Sequence, residues 1–364
     1  MFAPSQRMPR GFSLLKSCAA LLLLMVLSGA VLAAPTAAKT IPSFAAKTAA
    51  ASAAKKPLAP LPAAKLALVN FKTAPFPYRG LIPDSGKHFL DTSEGNRTGH
   101  TARDGVHWED AIYRDSRVLL YMPAGFDIRK PALMVVFFHG NGALLTRDVI
   151  ERQQVVEQLA RSGANAVLVA PQFAIDAADS SAGRFWQRRG FIEFVGEAGA
   201  RLVELYGDKR AESRISQMPV VLVAYSGGYL PAAWSLAIGG AGRRLRGVVM
   251  LDAMYGNIDK FTSWVEQMRW PTFFLSAYTE SSREGNEAFM QELKEANVRF
   301  KTAPPKNFSQ GGVTILSTDP NTKHEDFVTH AWVDNPLRWV LERIPGFARY
   351  SEPVKLKSSK TKSK

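Results

Sequence analysis

Pro219-Val-Val-Leu-Val-Ala-Tyr-Ser-Gly-Gly-Tyr-Leu-Pro-Ala-Ala-Trp234 runs from a continuous apolar segment into a serine flanked by small residues, then into a second apolar segment. Val220–Ala224 shows no alternation of apolar and polar positions, which predicts a strand buried on both faces. Leu230–Ile238 predicts a helix. Ser226 would then stand at a strand-to-helix turn so tight that small residues are needed at Ala224 and Gly228, where the backbones crowd. The helix that begins there offers unpaired N–H groups to developing negative charge. Ser93, Ser181 and Ser309 also have glycine two residues on, but none follows an apolar strand or has a small residue two before it. Only Ser226 has the whole context. Its ordinary alternative is a serine that caps the helix.

Upstream, Leu133–Phe138 runs into His139-Gly140-Asn141-Gly142. Glycines there let the backbone approach a bound group and aim N–H groups at an oxyanion, together with the N–H of Gly227. Further candidate strands are Val118–Met122, Ala166–Ala170, Val248–Leu251, Thr272–Ser276 and Val313–Leu316. Candidate helices are Val149–Leu159, Phe191–Leu205, Phe261–Met268 and Phe289–Ala296. Alternating strands and helices predict one α/β domain over 71–350, with a mostly parallel sheet and helices on both faces.

At these residues the chain resembles the α/β-hydrolase superfamily. The resemblance rests on the AYSGG turn, the HGNG sequence and a histidine near the C-terminus, and it covers most of 115–345. It implies about eight strands and a Ser–acid–His triad in that chain order. Ala224 stands where the commonest form has glycine, and it is still small. A superfamily of many chemistries carries over a mechanism and not a substrate.

In that order the base follows the last strand, which leaves His324 and His330. His324 lies in the polar loop 318–324, beyond the carboxyl end of a strand, where such sheets place chemistry, and it is preferred. His330 falls in Phe327–Trp332, which reads as a helix with a packing histidine. His139 belongs to the HGNG turn and reads as support for it. The acid is Asp252, directly after Val248–Leu251, or Glu280, after the next strand and at the position more usual in the family. Either could orient an imidazole. Asp252 is preferred because an ion emerging from an apolar strand needs a partner, whereas Glu280 opens a polar run that reads as a solvated loop. Gly227, Gly140, Asn141 and Gly142 are the expected oxyanion donors. Tyr225, beside the serine, and Trp186, after the strand Ala166–Ala170, are the expected substrate contacts.

The chain has 364 residues and a formal net charge of +14. Residues 1–70 hold eight basic residues and no acid, and 351–364 hold five lysines and one glutamate, so 71–350 is close to neutral. Arg7, Arg10 and Lys16 precede an apolar run and Ala33-Ala34, which reads as a signal peptide over 1–33, or a membrane anchor if uncleaved. Residues 34–70, rich in Ala, Lys and Pro, read as a tether, and 351–364 as a basic tail. Secretion or a periplasmic location follows. The single cysteine, Cys18, excludes a disulfide scaffold.

HExxH, Walker A and GxGxxG sequences are absent, so no metal or nucleotide cofactor is expected. Gly240 and Gly242, in IGGAGRR, follow a helix where a dinucleotide site needs a strand. Nucleic-acid binding would rest on the basic ends alone. Two readings remain: a serine hydrolase acting on a small-molecule or envelope-derived ester or amide through an acyl-enzyme, and a catalytically silent module holding anionic envelope polymer through its basic ends.

Overall fold

The computed structural model describes residues 63–267 and 272–349. The expected signal peptide, most of the tether and the basic tail lie outside the described residues.

The described residues form twelve strands: β1 (Lys65–Asn70), β2 (Thr92–Glu94), β3 (Arg97–Ala102), β4 (Gly105–Trp108), β5 (Arg117–Met122), β6 (Leu133–Phe138), β7 (Ala166–Pro171), β8 (Val220–Tyr225), β9 (Leu245–Leu251), β10 (Phe273–Tyr278), β11 (Phe300–Lys301) and β12 (Gly312–Ser317). Nine of them form one sheet in the order β1-β5-β7-β6-β8-β9-β10-β12-β11. β5 pairs antiparallel with both β1 and β7, and every other pairing is parallel. The remaining three strands make a small antiparallel sheet, β2-β3-β4. The mostly parallel α/β sheet expected from the strand–helix alternation is the sheet found.

Each apolar run is buried along its whole length because the sheet is covered twice. On one face Met134, Val136 and Phe138 of β6 join a core with Phe191, Phe194 and Phe261 from the helices Gly190–Tyr206 and Ile258–Gln267. On the other, Leu133, Val135 and Phe137 meet Leu159, Leu337 and Val340 from Val155–Arg161 and Pro336–Glu342. Burial of this kind contributes about 25 cal/mol per Å² of apolar surface, which is why uninterrupted Val/Leu/Phe runs identify these strands.

Two boundaries and one side chain differ from expectation. Residues 65–70, placed by composition in the tether, are the edge strand β1, with Leu66 47 % and Leu68 37 % exposed. An edge strand that buries one side only weakly has no continuous apolar signature. The expected helix Val149–Leu159 is two elements, a π-helical segment Leu145–Arg152 and the α-helix Val155–Arg161, divided where Gln154 takes φ +53°. His330 is not a packing residue of a helix: its side chain is 62 % exposed and pairs with Asp326. Among the described residues no helix is long and apolar enough to cross a membrane.

Candidate active site

β8, at the middle of the nine-stranded sheet, ends at Tyr225, and Ser226 follows at φ +53°. A left-handed conformation is uncommon for a residue with a Cβ, and here it turns the chain at once into the helix Tyr229–Ala237. The neighbouring glycines are steric necessities. A Cβ on Gly228 would meet the carbonyl oxygen of Phe138 at 2.6 Å, and one on Gly140 would meet the Cβ of Ser226 at 2.7 Å. A Cβ on Gly227 would run into the Asn141 side chain. The serine turn and the HGNG loop therefore lie in direct contact.

Asp252 emerges from the end of β9, the strand next to β8, and His324 from the segment after β12. Nε2 of His324 lies 2.8 Å from the Ser226 hydroxyl, and Nδ1 lies 2.6 Å from Oδ2 of Asp252. Three residues far apart in sequence thus form one continuous hydrogen-bonded chain. Glu280, the alternative acid, is turned away: its carboxylate pairs with Arg283 at 2.6 Å and its side chain is 73 % exposed.

Asp252 is fully buried. Burial works to raise its pKa, but hydrogen bonds from His324, Ser281, Ser282 and the Thr279 N–H outweigh it and hold the carboxyl below its ordinary value. The Ser282 hydroxyl donates to Oδ1 at 2.5 Å and the Thr279 N–H at 3.1 Å, while Ser281 donates to Oδ2. Tyr255 lies 2.8 Å from the Ser281 hydroxyl and 3.3 Å from Nδ1 of His324. These partners were missed in the sequence because Thr279–Arg283 reads as a solvated loop. The available signal was Asp252 itself, a charge at the end of an apolar strand that required donors from the adjacent one.

His139 is buried beneath the HGNG loop. Its Nδ1–H donates to the Gly140 carbonyl at 2.8 Å, and its Nε2 accepts from the Phe173 N–H at 3.0 Å. Burial pushes its pKa down to about 4, against the partial opposition of the Gly140 carbonyl and Asp148, so the ring is neutral at pH 7. It supports the loop, as its place in the turn suggests. The Asn141 side chain accepts from the Ser180 hydroxyl at 3.0 Å.

Three expected site residues have other tasks. The N–H of Gly142 donates to the Ala177 carbonyl at 2.8 Å, which commits it to the loop and removes it as an oxyanion donor. Tyr225 is buried and stacks on the His324 ring, with centroids 5.0 Å apart and an interplanar angle of 17°, so it backs the imidazole. Trp186 is buried against Tyr78 and Phe89 in the core. A large aromatic gains more from complete burial than from lining a wet cleft, which explains its position.

No family model and no curated protein matches the chain. Among solved structures it is similar to a mutant of the feruloyl esterase module from Clostridium thermocellum, at 13% identity and a TM-score of 0.40, covering 74% of this chain and 97% of that one. An S-formylglutathione hydrolase from Agrobacterium tumefaciens is similar at 14% identity and a TM-score of 0.42, covering 69% and 97%. A dienelactone hydrolase-like promiscuous phosphotriesterase from metagenomic libraries is similar at 13% identity and a TM-score of 0.35, covering 80% and 92%.

Proposed function

We propose that the protein is a secreted or periplasmic serine hydrolase of the α/β-hydrolase type, cleaving a carboxylic ester, or the more resistant amide, through an acyl-enzyme. The observation that carries this reading is the chain Ser226–His324–Asp252, in which each donor faces its acceptor at 2.8 and 2.6 Å. His324 takes the hydroxyl proton at Nε2 as Ser226 Oγ bonds to the substrate carbonyl carbon. The carbonyl oxygen becomes an oxyanion, stabilised by the N–H of Gly227 with those of Gly140 and Asn141. His324 then gives its proton to the leaving oxygen or nitrogen. Water, deprotonated by the same imidazole, breaks the acyl–serine bond and frees the carboxylate and Ser226. Asp252 fixes the ring with Nδ1–H pointing inward and stabilises the imidazolium without itself gaining a proton.

Stopped-flow hydrolysis of p-nitrophenyl esters of increasing chain length tests this reading. It requires a burst of p-nitrophenol of up to one equivalent, or single-turnover acylation where deacylation is fast, and both must vanish in Ser226→Ala. Equal turnover by wild type and Ser226→Ala would refute it. A parallel panel of peptide p-nitroanilides separates ester from amide cleavage.

A further inference from the structure

A cavity of about 930 Å³ lies away from Ser226. It lies by the end of the helix Tyr229–Ala237 and the start of β9, whereas Ser226 precedes that helix and Asp252 follows that strand. The cavity is therefore at the opposite edge of the sheet from the hydrogen-bonded chain. Its walls carry Arg188, Arg189, Arg243 and Arg246, and among the described residues no aspartate or glutamate lines it. Among the same residues none of these four guanidiniums is paired with a carboxylate. We propose that this cavity binds a ligand carrying two or more phosphate groups.

Local structure holds the arginines together. The Arg189 N–H donates to the Ile238 carbonyl and the Ile192 N–H to the Gly239 carbonyl, each at 2.9 Å. These bonds fasten the segment bearing Arg188 and Arg189 to the IGGAGRR loop bearing Arg243. They also occupy two carbonyls at the end of the helix Tyr229–Ala237, whose partial negative charge would otherwise oppose an anion. Gly240 takes φ +81°, and a Cβ there would press on Ile192 at 3.1 Å, so the loop can lie close to Arg189. The glycines that fail as a dinucleotide fingerprint thus have a different role, bringing basic residues from two loops to one wall.

A second, independent observation comes from Ser235. It lines the cavity, it is 2% exposed, and its hydroxyl has no hydrogen-bond partner among the described residues. Buried polar groups rarely remain unpaired, and an oxyanion is a partner a hydroxyl can satisfy. Guanidiniums that line one cavity repel one another when no anion lies between them. They favour a multiply charged acceptor, and their planar forks match the paired oxygens of phosphate. A volume of this size holds more than one such group. Shared phosphate chemistry is the inference; a free polyphosphate and a lipid-borne phosphate are two sources of it.

The test uses the full chain at constant ionic strength. Calorimetric titration with inorganic pyrophosphate is read beside tryptophan fluorescence, with Trp264→Phe identifying the part due to the tryptophan that lines the cavity. Sedimentation with vesicles containing cardiolipin, a lipid with two phosphates, against phosphatidylcholine vesicles, forms the second arm. Saturable binding in either arm, weakened at least tenfold in the double variant Arg243→Gln/Arg246→Gln and unchanged in Ser226→Ala, is the expected result. Binding in the first arm identifies a free anion as sufficient, and binding in the second alone identifies a lipid-borne phosphate. Binding in neither arm overturns the inference. So does vesicle binding that the double variant leaves intact, because the basic ends would then account for it.

Discussion

Nδ1 of His324 lies 2.6 Å from Oδ2 of Asp252, although the two are 72 residues apart and three strands of the sheet lie between them in sequence. The contact exists because β9, β10 and β12 pair in parallel, so that Asp252, the Thr279–Ser282 segment and the segment leading to His324 leave the sheet at the same end. That segment supplies three of the donors that hold the carboxylate, and the fourth is the imidazole.

Asp252→Asn is expected to lower kcat by about 10⁴-fold with little change in KM, because an amide cannot stabilise the imidazolium or hold its tautomer. Glu280→Gln removes only an exposed ion pair and should leave kcat within twofold. Steady-state kinetics of the two variants separate the carboxylates. The opposite ranking would transfer the role to Glu280.

Gly140→Ala places a Cβ against Ser226, and the loop must move. A loss of about 10² to 10³ in kcat follows if oxyanion donors are displaced with it. Gly142→Ala meets nothing within 4 Å, but its φ of +68° strains any side chain. It should cost about 1–2 kcal/mol of unfolding free energy and leave kcat near wild type. Urea unfolding and kinetics on both variants check the pair.

Tyr225→Ala removes the ring behind His324 and should lower kcat with KM nearly unchanged, since the tyrosine positions a base and is buried from substrate. Trp186→Ala should destabilise the fold by about 3–5 kcal/mol, as expected for a large aromatic lost from a core. A rise in KM as the main effect of either variant would restore it to the substrate cleft.

The site was legible in the sequence to an uneven degree. Ser226 and Asp252, which His324 joins by hydrogen bonds, could be singled out because each directly follows an apolar strand, and His324 because its polar loop follows the last long one. Ser281, Ser282 and Tyr255 could not, because their task exists only after β9 and β10 pair. Gly142 and Trp186 show the reverse case. Their local patterns matched a functional one, and tertiary packing assigned them to a loop bond and to the core. β1 went unread because an edge strand needs only half an apolar pattern.

His139 makes stability depend on pH in a predictable window. Its pKa of about 4 lies below the ordinary 6.5, so the unfolded chain binds the proton first as pH falls. Its contribution is fully present above pH 6.5, declines between 6.5 and about 4, and levels off below. The gap between 6.5 and about 4 corresponds to roughly 3 kcal/mol. Urea unfolding from pH 7 to pH 4 should show this decline, and His139→Gln should flatten it. An equally steep decline in the variant would assign the dependence to other groups.

The intact mass of the protein after treatment with a fluorophosphonate, followed by peptide mapping, tests Ser226 as the nucleophile most directly. One adduct per chain is expected, carried by Ser226, formed slowly in Asp252→Asn and not at all in Ser226→Ala. An unmodified wild-type chain, or an adduct on another residue, would contradict it.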